Sequence, residues 1–523
     1  MNETIGFPTL GELVQFSYDA FGVLPRKRSL DNEINESNKK SIQKALIRLK
    51  NEEGDINENM GSLIKDLSFL IAGHIPNPRV SLAIGEILAD IEELYLSVLQ
   101  SEGTYWDKKK TIQWVISDHL ISRFAFSLHR NMLSFNVAAG GLKMPDGYWF
   151  LPIFSDKKIT MPLETVMRWI YGQCECTQAS FHCPQGALSQ ENFEQSRRLD
   201  NAKNWIKSRK PPSLSGLMWN FNEGFKALSG SKGEMPTITI TPQMRESFSI
   251  ALVLGRASSY VFNAILENFG RAYAEEICSQ FREQYAHAEE EFHDFKVGNE
   301  QYVADEKFSL IEADRFWAEE TELFCKGYRD NMAEYNAFFR SIPFEMHGEW
   351  IASEAKRDQL IQQFGKLVVS DLVGQRQRSA NRNEVPQAFW ICLGKGLELK
   401  SNPLVSAEEI ESLEQEAKAA RVDKLLGWLV PWLRANRYYR LGESALAFHE
   451  IEDAFFKAKY CAGGNQRTVV KLFVKLAARN KKWSAFKRGV SWAAFIRLDF
   501  PWLRNGLPSD DKMKYLFEEM GVQ

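Results

Sequence analysis

The feature that most narrows the fold is the spacing of the apolar residues. In "SLAIGEILADIEELYLSVL", Ser81 to Leu99, the residues Leu82, Ile84, Ile87, Leu88, Ile91, Leu94 and Leu96 recur at steps near three and four. That period gathers them on one side of a helix. A chain built from such segments buries helix against helix, so the expected fold class is mainly α. Strand signals are few. "KMPDGYWFLPIFSDKKITM", residues 143–161, joins a Pro-Asp-Gly turn to a short aromatic run and predicts a small hairpin, and "PTITITP", Pro236 to Pro242, alternates like a strand.

With 523 residues the chain is long enough for about three domains, and 44% hydrophobic residues can fill their cores. "SGSKGEMP", Ser229 to Pro236, is the clearest linker, and the polar, basic "QRQRSANRNEVP", Gln375 to Pro386, reads as a joint between helices. The expected organisation is a helical region at 1–135, a small β element with a helical module at 136–235, an acidic helical centre at 236–400 and a basic helical region at 401–523.

Charge restricts function. The 65 Lys and Arg against 68 Asp and Glu leave a formal charge of -3, so a basic coat over the whole molecule is excluded and any nucleic-acid contact must be local. One segment is strongly local in this sense. From Ala454 to Leu498 there is no acidic residue, while eleven Lys and Arg occur. In "TVVKLFVKLAARNKKW", Val469, Leu472, Phe473 and Leu476 are expected to face inward, and Lys471, Lys475, Arg479 and Lys482 follow at steps of four, four and three on another face.

A second basic stretch is "NWIKSRKPPSLSGL", Asn204 to Leu217. With Ser189, Gln190, Glu191 and Phe193 upstream and Trp205, Arg209, Lys210, Pro212, Ser213, Leu214, Leu217 and Phe221 here, residues 189–228 resemble the lambda-repressor-like helix-turn-helix family. The resemblance implies a short first helix, a tight turn, and a recognition helix whose Lys203, Asn204, Lys207, Arg209 and Lys210 meet phosphates or base edges. The chain departs from the pattern at the turn, where "RRLDN", Arg197 to Asn201, replaces the usual glycine, and at Ser208. Independently of the family, Pro212 should stop one helix and Ser213 should cap the next.

"NRYYRLGESALAFHEIEDAFFKAKY" is similar to one tetratricopeptide repeat over about 431–460. Tyr438 stands at the first-helix aromatic, Gly442 at the turn, and Ala447, Ile451 and Ala454 at the interlocking positions; Pro431 and Ala435 replace the family's Trp and Gly. Such a pair cannot bury its faces alone, which implies neighbouring helices in a short stack.

Two clusters offer metal ligands. Cys174, Cys176, His182 and Cys183 fall within ten residues, but the adjacent His182 and Cys183 cannot easily reach one ion. His287, Glu290, Glu291, His293 and Asp294 share a helix and would need ligands from another element; a solvated acidic helix is the alternative. "HRNMLSFN", His129 to Asn136, has the spacing of a kinase catalytic loop with Asn131 where an Asp must act, and an amide cannot take a proton. No phosphate loop, serine elbow or His-Glu-x-x-His motif occurs, and no cofactor is expected.

The N-terminus lacks the basic and apolar regions of a secretory leader, no run of about 18 apolar residues suggests a membrane partner, and the scattered seven cysteines suit a reducing cytoplasm. The expectation is a non-enzymatic, DNA-binding regulator or subunit of a DNA-acting assembly. The alternatives are a helical scaffold for a protein partner and, third, a metal-dependent enzyme.

Overall fold

The structure is a computed structural model that describes residues 7–23, 36–52, 56–75, 78–100, 107–138, 144–183, 190–208, 210–230, 240–341, 353–365, 386–504 and 506–522. Among these residues twenty-one α-helices surround a single two-stranded ribbon, so the protein is mainly α. Of the linkers foreseen at 229–236 and 375–386, residues 231–236 and 375–385 lie outside the described residues, as do the first four of the strand-like 236–242, while Ser229 and Gly230 end a helix.

The first half comprises α1 (Leu10–Phe21), α2 (Glu36–Lys50), α3 (Ile56–Ala72), α4 (Pro78–Leu99), α5 (Lys108–Val115), α6 (Ile121–Ala138), α7 (Pro162–Gln173), α8 (Gln178–His182), α9 (Gln190–Ser208), α10 (Leu214–Gly230) and α11 (Pro242–Phe269). The foreseen hairpin forms from β1 (Ile153–Phe154) and β2 (Ile159–Thr160), paired antiparallel with Ile153 opposite Thr160. Helix α11 is the hub. Thr241 caps it, Phe248, Ile250, Ala251, Leu252, Val253, Phe262 and Ile265 are buried along it, and it packs on α1, α7 and α10. Among the described residues it is the one helix long and apolar enough to cross a membrane.

Its Arg256, only 4% exposed, joins three elements. Nε donates to Pro212 O at 2.6 Å, and Nη1 donates to Asp19 O at 3.2 Å and to Ala20 O. The last two carbonyls end α1, where unsatisfied C=O groups carry partial negative charge and attract a cation. Gly22, at φ +66°, terminates α1 in the left-handed region and leaves room for the guanidinium; a Cβ there would lie 2.0 Å from Nη2.

The two longest helices, α12 (Arg271–Asp305) and α13 (Leu310–Ser341), meet through aromatic rings: Phe292 and Phe295 against Phe324 at 5.3 and 4.9 Å, and Tyr302 against Phe316 at 5.5 Å. Helix α6 packs on both. Its His129, buried beneath the edges of Tyr285 and Phe292, is pushed down to about 4 by burial, which disfavours the charged ring. The kinase-like spacing at 129–136 therefore lies within α6, where His129, Arg130 and Asn131 are buried and Asn131 Nδ2 donates to Ser127 O at 2.8 Å.

After α14 (Glu354–Phe364), the C-terminal helices are α15 (Gln387–Ser401), α16 (Ala407–Ala419), α17 (Leu429–Arg440), α18 (Ser444–Ala458), α19 (Gln466–Arg479), α20 (Trp483–Phe495) and α21 (Asp510–Val522). From α15 onward each helix up to α20 has sequence neighbours among its packing partners, and α21 lies on α19 and α20. Gly442, at φ +80°, makes the turn between α17 and α18, and Ala435, Ala447, Ile451 and Ala454 are fully buried where those two helices approach. Small residues permit that approach because interaxial distance follows side-chain size. Gly489 does the same for α20 on α19: a Cβ would stand 2.7 Å from Val474 Cγ2 and 2.9 Å from Phe473 Cδ1. Gly489→Ala is expected to destabilise by about 1–2 kcal/mol, overpacking outweighing the roughly 1 kcal/mol gain in helix propensity. The midpoint of urea unfolding checks this.

The N-terminal helices are tied to this C-terminal stack. Phe7 N donates to Tyr460 O at 3.0 Å, Gln466 Nε2 to Leu99 O at 2.8 Å and Gln100 Nε2 to Ile496 O at 2.6 Å. Lys459 is 2% exposed and lies over Trp492 at 4.7 Å and Phe455 at 4.8 Å, with the Glu52 carboxylate on its ammonium. Burial pulls its pKa down to about 7. One contiguous cluster of buried apolar side chains runs from Phe7 to Leu516.

Candidate nucleic-acid interface

Helix α19 shows how the C-terminal basic face arises. Val469, Val470, Phe473, Val474, Leu476, Ala477 and Ala478 are buried, each large side chain contributing roughly 1.5–3 kcal/mol by leaving water. Of the residues foreseen inside, only Leu472 is half-buried. The opposite side presents Lys471 and Arg479 to solvent and Lys475 half-buried; Lys482, just before α20, is exposed. Lys475 and Arg479 lie over one ring, that of Tyr439 on α17, at 5.4 and 5.1 Å. Cations near a helix C-terminus also complement its dipole.

The remaining cations of the acid-free segment are partly neutralised from outside it. Lys459 meets Glu52, Lys457 meets Asp453 at 2.7 Å, Lys487 meets Asp510 at 2.9 Å and Arg467 meets Asp499 at 3.7 Å. Among the described residues Lys471, Lys475 and Lys482 form no ion pair. Pairing thus removes charge around the stripe and leaves the stripe positive. Tyr439 was missed from sequence; the Tyr438–Tyr439 doublet drew attention to Tyr438, and nothing local reveals that its neighbour meets residues 36 and 40 positions away.

The α9 region differs from the family pattern. Gln190–Ser208 is one continuous helix, so the expected turn at Arg197–Asn201 is not formed and no separate recognition helix exists there. The physical reason lies in those residues: none is glycine, Arg198 is buried, and its carbonyl accepts from Asn220 Nδ2 at 3.1 Å. Phe193, matched to the first helix of the family pattern, is 74% exposed. The restart at Ser213 forms as foreseen, with Gly216 N donating to Ser213 Oγ at 3.2 Å. Trp205 and Ile206 pack against Met161, Leu163, Met167 and Pro211 around a cavity of about 10 Å³, room for one water at most. On the same helix Lys203 and Asn204 are exposed, as is Lys210 beyond it. Lys207 belongs to α9, but its side chain, like all of Arg209, lies outside what is described. Helix α9 packs on α7 and α8, whereas α19 packs on α18, α20 and α21, so the two basic sets stand on different packing groups.

The cysteine-histidine cluster is built around an aromatic nest. His182 is fully buried among Tyr171, Phe181 and Phe221; its Nε2 lies 2.8 Å from Tyr171 OH. Burial first, then the nearby Arg198, push its pKa down to about 3. Neutral imidazole held by a phenol is a packed core group. Cys176 Sγ donates to Tyr171 O at 3.6 Å, and Cys174 is buried. On the acidic helix His287 Nδ1 stands 3.7 Å from Glu290, both exposed. Among the described residues no three His, Cys, Asp or Glu side chains converge as a metal site. Comparison of the chain with protein-family models, curated proteins and solved structures yields no match.

Proposed function

We propose that this mainly α-helical protein is a non-enzymatic nucleic-acid-associated factor that docks on duplex DNA through the α19 face. The supporting observation is the positive set on and just beyond α19: Lys471, Lys475 and Lys482, which form no ion pair among the described residues, with Lys475 and Arg479 held over Tyr439. Cations along α19 and at the turn that follows it, two of them oriented by a ring, can follow a phosphate backbone, and contacts of this kind supply affinity without sequence reading. Lys203, Asn204 and Lys210 are proposed as an auxiliary contact; with the turn absent, groove reading by a recognition helix is not part of the proposal.

Lys471→Gln with Lys482→Gln removes two exposed charges and leaves the Tyr439 cluster intact. The double variant is expected to bind random duplex DNA at least tenfold more weakly at about 0.1 M salt, each lost phosphate contact reducing the salt dependence by about 0.9. Fluorescence anisotropy reads this directly. Unchanged affinity with unchanged salt dependence would refute the α19 assignment.

A second reading, a helical scaffold for a protein partner, draws on another surface. Leu310 and Ile311 at the start of α13 are 86% and 82% exposed, and Tyr302 near the end of α12 is 51% exposed. Adjacent apolar side chains of that size in water mark an interaction surface more often than chance. A repeat-like C-terminal stack from α15 to α21 would serve either reading. The cytoplasm, where seven unpaired thiols persist, is the proposed location.

A further inference from the structure

The residues that close the α12–α13 hairpin make their contacts with one another. Among the described residues every hydrogen bond, ion pair and ring contact of residues 296–320 stays within the two helices and the turn that joins them, as with Tyr302 against Phe308 at 6.1 Å and Lys296 over Trp317 at 5.3 Å. From Glu289 to Glu320 no residue is buried, although Phe292, Phe295, Phe316 and Trp317 lie in that stretch and Leu310 and Ile311 are almost fully in water. Most helical stability comes from packing an apolar face on further structure, so a hairpin left this open is a surface for docking. Its charge selects what can cover it. Residues 289–322 hold twelve Asp and Glu against three Lys and Arg, a formal charge of -9, and one of those cations, Arg315, is held by Glu319 at 2.9 Å. The covering surface must be cationic. This chain carries such a surface, since there is no acid from Ala454 to Leu498, and Lys471, Lys475 and Lys482 form no ion pair among the described residues. No hairpin acid pairs with these cations within one copy, so both faces remain available between copies.

We propose that the acidic end of the α12–α13 hairpin docks on the α19 stripe of a second copy of this chain, in a head-to-tail contact for which duplex DNA competes. Opposite charge sets the pairing and its register, and the apolar side chains at the start of α13 supply the surface that leaves water. The contact joins two unlike patches, so each copy offers one of each, and association either closes between copies or continues from copy to copy. The inference rests on the same α19 cations as the DNA-docking reading. Hairpin and DNA therefore exclude each other there.

Sedimentation velocity of the full chain, without DNA, tests this. At about 50 mM salt the native chain should gain mass as its concentration rises through the micromolar range, and about 500 mM salt should weaken the association at least about tenfold by screening the exposed charges. Asp305→Lys with Glu306→Lys reverses two exposed charges at the C-terminal end of α12, where cations suit the helix dipole and the fold is retained. This variant, and separately Lys471→Gln with Lys482→Gln, should each self-associate at least about tenfold more weakly than the native chain. Mixed together, the two should form a one-to-one complex, because one supplies the native hairpin and the other the native stripe. A native chain that stays monomeric at low salt overturns the proposal, as does a mixture of the variants that fails to associate. Excess random duplex DNA should dissolve the association; DNA that binds without dissolving it overturns the shared face. Association by a chain that binds no DNA supports this inference and overturns the DNA-docking reading instead.

Discussion

Arg256→Ala is expected to lower the free energy of unfolding by about 3–5 kcal/mol, the range for breaking a buried charged network by deleting one partner. The residue is 4% exposed, and its guanidinium donates to Pro212 O, Asp19 O and Ala20 O. Truncation strands these carbonyls, two of them at the end of α1, and opens space between α1, α10 and α11. An acceptor that is buried and unpaired costs about 1–3 kcal/mol. The loss should fall on the α1–α11 contact and on the Pro211–Pro212 entry to α10. Chemical denaturation with intrinsic tryptophan fluorescence gives the magnitude; a change below about 1 kcal/mol would show that the clamp is not what joins these helices.

Acidification should destabilise the fold well above the range in which carboxylates protonate. His129 and His182 are buried as neutral rings with pKa values lowered to about 4 and about 3, against about 6.5 in the unfolded chain. Between these limits the unfolded state binds more protons, so stability rises with pH in that window. The contribution is complete above pH 6.5 and falls as pH drops toward the folded-state values. From pH 6.5 to pH 5 each histidine loses about 1.6 kcal/mol, roughly 3 kcal/mol together, at 1.36 kcal/mol per unit. His129→Phe, which keeps an aromatic ring against Tyr285 and Phe292, should remove about half of this dependence. Denaturant midpoints that stay level from pH 7 to pH 5 would contradict the burial of these rings as neutral groups.

Local patterns in the sequence reached the helices well and the junctions poorly. The α4 helix, the buried face of α19, the hairpin at 153–160 and the Ser213 cap all depend on neighbours within a few residues, and all form, whereas Lys482, read as the last member of the basic stripe, falls beyond the end of α19. The turn at Arg197–Asn201 failed because a family pattern was carried through residues that favour continuing a helix, and Asn220, 22 positions away, bonds the Arg198 carbonyl inside that helix. Arg256 on Asp19 and Ala20, Lys459 on Glu52, and Gln466 on Leu99 join residues more than 200 positions apart. No spacing rule encodes such pairs. The candidate interface was legible in its charge, because the missing acids at 454–498 are a local property. What lay outside the sequence was the selection made by pairing: Glu52, Asp453, Asp499 and Asp510 neutralise part of the segment and leave Lys471, Lys475 and Lys482 without carboxylates among the described residues.

The most direct measurement of the proposed role is the affinity of the native chain for random duplex DNA as salt is raised from about 50 to about 200 mM. Four phosphate contacts by Lys471, Lys475, Arg479 and Lys482 predict a log–log slope near -3.6 and an affinity loss on the order of 100-fold. Absence of binding at the low-salt end, or binding with a slope near zero, would contradict electrostatic docking through α19.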